Sequence, residues 1–164
     1  MDQGSLTLAV VAAVLFLGGL FVERQLLRWR HNWYFSAGFP VFPELLPIPR
    51  APEGSGETST VSWEVVDGLV RFWADPAARK APSGLHGAIR LILGPKEVRL
   101  VVRWSPPWSP LLAAGWLAGL GLVRGEGYFT VPIAAMIVLA VLFVYRQAAV
   151  RAARELRWAW VSQQ

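Results

Sequence analysis

The sequence predicts an α+β membrane protein with three transmembrane helices: an N-terminal anchor, then a C-terminal helical hairpin. A small four-stranded antiparallel β domain is expected between the first and second spans. Three observations carry this. Of the 164 residues, 54% are hydrophobic and 16% charged, and the charges are missing from three long stretches, whereas a soluble domain spreads them over every surface element. Basic residues gather at those ends of the apolar stretches that fall on one side of a bilayer. The segment between the first two stretches reads as two β-hairpins in which turn chemistry and alternation give one register.

Residues 6–22 (LTLAVVAAVLFLGGLFV) form the first stretch, 17 residues without a charge. As a helix they span about 25 Å, slightly under the ~30 Å hydrocarbon core, and continuing into the amphipathic flank closes the gap. A cleaved signal peptide has a positive start and a small-residue cleavage pattern. Here Met1-Asp2-Gln3 precedes the stretch and Glu23-Arg24-Gln25 follows it, so a retained anchor with its basic flank is expected over 1–35.

Residues 36–57 (SAGFPVFPELLPIPRAPEGSGE) carry five prolines and then Gly and Ser, which excludes a helix or a central strand and predicts an extended tether. Phe39, Val41, Phe42, Leu45, Leu46 and Ile48 are too apolar for a solvated linker. They are expected to lie on the membrane surface or to cover a sheet.

Residues 58–106 are the β domain. Asp67-Gly68 supplies a two-residue type I′ turn that pairs Val66 with Leu69, Val65 with Val70, Glu64 with Arg71 and Trp63 with Phe72. Val61, Trp63, Val65, Val70, Phe72 and Ala74 then share a face, and Glu64 meets Arg71 on the other, a cross-strand pair worth about 0.2–1 kcal/mol. Gly94-Pro95-Lys96-Glu97 closes a second hairpin, pairing Leu93 with Val98, Leu91 with Leu100 and Ile89 with Val102, with Arg90, Arg99 and Arg103 opposite. A helical turn is expected within residues 75–85, which open on a capping aspartate and a proline.

Residues 107–145 hold two uncharged runs, 107–123 and 130–145, joined at Gly125 and Gly127, with Pro132 in the first turn of the second run. Neither run has a polar face, so a bilayer-crossing hairpin is expected. Gly115 and Gly119 have small-xxx-small spacing, read as helix packing within the protein. Residues 146–164 continue as a basic amphipathic helix: Ala149, Ala152, Ala153, Leu156 and Trp160 lie on one side, Arg146, Arg151, Arg154 and Arg157 on the other.

Arg24, Arg28 and Arg30 follow the first span, Arg103 precedes the second, and the four C-terminal arginines follow the third. The positive-inside rule therefore places the N-terminus outside, and the β domain and C-terminus in the cytoplasm of a plasma or inner membrane. Trp29, Trp33, Tyr34, Trp104, Trp108, Tyr145, Trp158 and Trp160 fall just beyond that face, at the level of the headgroups. Residues 23–31 and 146–164 contribute +2 and +3, the whole of the net +5, so the basicity has a membrane origin and no nucleic-acid partner is expected.

Chemistry is scarce. Without cysteine there are no disulfides, thiolate metal sites or cysteine nucleophiles. His31 and His86 have no acidic partner at a telling spacing, and no two acids converge as a general acid and base. No enzyme activity, cofactor or metal is expected. A sheet of this size has one apolar face that it cannot cover alone, so a non-catalytic scaffold or accessory subunit is expected. Its partner-binding residues would be Trp63, Phe72, Leu91, Leu100 and Val102, receiving a protein or a second copy, unless the proline-rich segment or the basic helices provide the cover. The alternative is an anionic-lipid-sensing module using Arg90, Arg99, Arg103, Arg146, Arg151, Arg154 and Arg157.

Overall fold

The computed structural model of the chain describes residues 3–29, 32–41, 46–48, 50–74, 81–82, 84–94 and 98–162. The elements are α1 (Gln3–Trp29), α2 (Asn32–Ser36), β1 (Phe39–Pro40), β2 (Leu46–Ile48), β3 (Ser55–Glu57), β4 (Val61–Val66), β5 (Leu69–Ala74), β6 (His86–Leu93), β7 (Val98–Ser105), α3 (Trp108–Val123) and α4 (Gly127–Ser162). They divide into two compact units, Met1–Trp29 with Pro107–Phe143, and Arg30–Pro106 with Val144–Gln164.

In the first unit α1 packs on α3. The α3 helix ends where Gly125 takes φ 74°, a left-handed conformation that glycine adopts without penalty. The N–H of Glu126 then donates to the Gly121 carbonyl at 2.7 Å, and α4 begins at Gly127. Pro132 accordingly lies inside α4 rather than in its first turn, and withholds the N–H that would bond the carbonyl of residue 128. Among the described residues α4 is the one helix both long and apolar enough to cross a membrane, with a mean hydropathy of 2.3 over 18 residues; α3 is apolar but has 16 residues. The third apolar run and the basic C-terminal segment are a single 36-residue helix.

The second unit is built on one antiparallel sheet of seven strand segments in the order β1-β7-β6-β5-β4-β3, with β2 also on β7. Because β1 and β2 lie end to end along β7, these segments fill six positions, not the four expected. The additional strands come from the proline-rich region. Prolines are tolerated at a sheet edge, where an N–H is not needed for the ladder.

The four central strands have the pairs that turn chemistry predicts: Val66 with Leu69 through Trp63 with Phe72, and Leu93 with Val98 through Ile89 with Val102. Asp67 and Gly68 both have positive φ, 52° and 73°, as a type I′ turn requires. Replacing Gly68 by valine puts a β-branched residue at that angle; a loss of more than about 1 kcal/mol is expected, read as a lower denaturation midpoint of the sheet. Residues 95–97 of the predicted turn Gly94–Glu97, and most of the helical turn sought within 75–85, lie outside the described residues.

Candidate functional surface

The two sides of the sheet have different fates. On one side Val61, Trp63, Val70, Phe72, Ile89, Leu100 and Val102 are buried, and so are Ala149, Ala152, Ala153, Leu156 and Trp160 of α4. The two sets meet where the Trp63 and Trp160 rings pack edge to face, centroids 5.4 Å apart. Beside them the Glu155 carboxylate accepts hydrogen bonds from Thr60 Oγ1 at 2.7 Å and Ser59 Oγ at 3.1 Å. The chain's own helix therefore covers the apolar face. Of the five residues expected to bind a partner, Trp63, Phe72, Leu100 and Val102 are core and Leu91 is half-buried. An amphipathic helix reaching the sheet removes the need for a foreign cover there.

The opposite side is only partly covered. Glu64 and Arg71 meet there in an ion pair of 2.6 Å. The short α2 caps one end: the Tyr34 ring stacks on His86 at 4.4 Å, Phe35 packs edge-on against His86 and Trp73, and the Arg71 guanidinium lies 5.9 Å from the Phe35 ring centre. His86 is fully buried, and its Nδ1 donates to the Gly84 carbonyl at 2.8 Å, since a carbonyl can only accept. Its place among aromatic rings makes it a core residue. His31 lies outside the described residues.

Beyond α2 this side is open. Register puts Arg90 opposite Val101, Arg99 opposite Ile92 and Arg103 opposite Ala88, so the three arginines share one face of two neighbouring strands and all are exposed. Arg103 Nη1 also donates to the Ser36 carbonyl at 3.5 Å. Of the C-terminal arginines, Arg146, Arg151 and Arg154 are exposed and Arg157 is half-buried. The structure thus groups the sheet arginines together, and separates them from the residues expected to bind a partner, which face α4.

Glu23, in the first unit, was not singled out by sequence. Pro107 gives α3 an N-cap without a side-chain hydrogen bond, which leaves the first N–H groups of the helix to find other acceptors. The Glu23 carboxylate of α1 takes two of them, Trp108 N at 2.8 Å and Ser109 N at 3.4 Å. A negative charge there also opposes the positive end of the helix dipole. Glu23→Leu leaves two donors unpaired and is expected to cost about 1–3 kcal/mol, with Glu23→Gln milder; thermal unfolding of the full chain in detergent measures both.

Phe16, Leu112, Gly115, Trp116 and Gly119 line an open apolar groove of about 860 Å³ on α1 and α3. Apart from their chain neighbours and the helix's own backbone, no described atom lies within 4 Å of where a Cβ on Gly115 or Gly119 would stand. The close helix packing expected at this pair is therefore not made among the described residues.

Among the described residues no three His, Asp or Glu side chains gather as metal ligands. Comparison with protein-family models, with curated proteins and with solved structures finds no match.

Proposed function

We propose that the chain is a non-catalytic integral membrane subunit that docks a protein partner at the cytoplasmic face. In this reading α1, α3 and residues 127–145 of α4 are three spans, the N-terminus is outside, and the sheet with the C-terminus is inside. The exposed apolar side chains along α1 and α4 and the arginine asymmetry of the sequence support the spans and their direction.

One observation carries the docking role: the sheet gives one face to its own α4 and leaves the other open, with exposed arginines set among aliphatic side chains. A cationic face with an apolar floor complements a segment that presents carboxylates around hydrophobic residues. The partner surface accordingly moves from Trp63 and its neighbours to Arg90 and Arg99, with Ile92 and Val101 between them. Purifying the full chain in mild detergent is expected to bring down an acidic protein in stoichiometric amount, and the double variant Arg90→Glu, Arg99→Glu is expected to lose it. Retention of the same protein by the variant would sink the proposal.

Topology has a direct test, since the chain has no cysteine of its own. Single cysteines at Ser55 and Ser162 are expected to be shielded from impermeant thiol reagents in intact cells, and one at Glu126 to be labelled. Labelling of Ser55→Cys from outside would reverse the orientation. The second reading, contact with anionic lipid, is favoured at one place, the end of the sheet around Arg103.

A further inference from the structure

We infer that the second unit rests on the anionic headgroup layer through Trp33, Phe39 and Arg103. This rests on the membrane-anchored reading above and adds the place and chemistry of the contact. Trp33 and Phe39 are 59% and 54% exposed although both are large aromatics. They are held in place from beneath. The Trp33 ring packs against Tyr34, itself stacked on His86, and the Phe39 ring lies 5.9 Å from the buried Trp104. Arg103 joins them through its hydrogen bond to the Ser36 carbonyl between the two. Register pairs Phe39 with Trp104 and Pro40 with Arg103, so Phe39 and Arg103 leave opposite faces of the sheet, and the patch formed by the two rings and the guanidinium surrounds one end of its β1–β7 edge.

That composition matches a lipid headgroup layer, where aromatic rings insert at the level of the ester groups and arginine meets phosphate. Covalent connection favours lipid over protein as the occupant. Trp33 stands four positions after the last residue of α1, and Arg103 five before the first residue of α3. At about 3.5 Å per residue the chain itself limits how far the patch can stray from the ends of two apolar helices. Arg99 and Leu93 lie further along the strands and are not bound in this way.

Nitroxide or fluorescent labels on single cysteines in the full chain, reconstituted in nanodiscs with and without anionic phospholipid, test the inference. Lipids carrying a headgroup-level quencher are expected to quench a label at Phe39→Cys, and at Trp33→Cys as a second reporter. A label at Leu93→Cys, where the side chain is 77% exposed, is expected to stay in water. Arg103→Glu is expected to lower the ratio of lipid-contacting to free label at Phe39 by about fivefold or more in anionic discs, the factor expected for one interfacial arginine, and to have little effect in neutral ones. High salt is expected to act in the same direction. A label at Leu139→Cys, on the 66%-exposed apolar side of α4, separates the two claims. If Leu139 is in hydrocarbon and Phe39 is in water, the lipid contact is wrong and the membrane anchor stands. If Leu139 is in water, both are wrong. A Phe39 label shielded from water but not quenched by lipid would mean that protein covers the patch, which also overturns the inference.

Discussion

Gly87→Val is expected to unfold the sheet while leaving the apolar part of α4 helical. Gly87 lies in β6 between Phe72 of β5 and Trp104 of β7. A Cβ there would stand 2.6 Å from Cζ of the fully buried Phe72 ring and would also collide with the carbonyl of Arg103. The phenyl ring occupies the space that a side chain would need, so the glycine is required for close approach. Valine would force both a core aromatic and a neighbouring strand to move, at a cost at or above the ~1–3 kcal/mol typical of overpacking. Gly87→Ala is expected to be milder, and Phe72→Ala to cost about 3–5 kcal/mol by leaving a cavity instead. Hydrogen exchange on the full chain in detergent reads the effect as lost protection of β5, β6 and β7 amides. Wild-type protection in Gly87→Val would mean that the ring does not lie over this position.

Leu156→Arg is expected to detach the C-terminal part of α4 from the sheet. Leu156 is fully buried within the stripe that includes Ala152 and Trp160. A guanidinium there would enter the apolar stripe under the sheet, and the carboxylate of the adjoining Glu155 already receives Ser59 and Thr60. Burying an unpaired charge belongs among the largest single-site effects, above about 4 kcal/mol, so the helix should let go instead. Dye binding to the uncovered face and aggregation at high salt are the readouts, with Leu156→Met expected to lose less than about 1.5 kcal/mol. If another protein covered the sheet, the arginine would be harmless to the isolated chain.

What the sequence makes legible here is local. Asp67-Gly68 fixes a turn two residues long, and with that turn set, alternation alone decides every pair out to Trp63 and Phe72. The stripe from Ala149 to Trp160 is legible for the same reason, because a 3.6-residue period needs no knowledge of what it packs on. Its destination is not legible: the same stripe suits a lipid surface or a sheet, and the sheet's cover was open among three candidates. The edge strands are hidden for another reason. β1, β2 and β3 are two or three residues long, too short for any period, and they sit among prolines that normally argue against a strand. Glu23 is hidden by distance, since the N–H groups it accepts from lie 85 and 86 positions away. Trp63 is buried against Trp160 of α4, which the sequence does not reveal because an apolar face records the need for cover and not its source.

The borders of the sheet limit how this domain can recognise anything. One border is formed by β1 and β2, where Pro40 pairs with Arg103 and Pro47 with Arg99. Val41 N donates inward to the Val102 carbonyl at 3.0 Å, so the neighbouring Pro40 stands where a donor would point outward, and it has none to offer. The other border is three residues of β3 with a glycine at its centre. Neither rim is a template on which a guest peptide could zip up main chain to main chain, the mode by which many β domains capture extended ligands. The same blunting guards crowded copies of the chain against polymerising through their sheets. Under the docking role proposed above, a ligand of this domain would be read by side chains, through charge and shape, with its own backbone conformation left free.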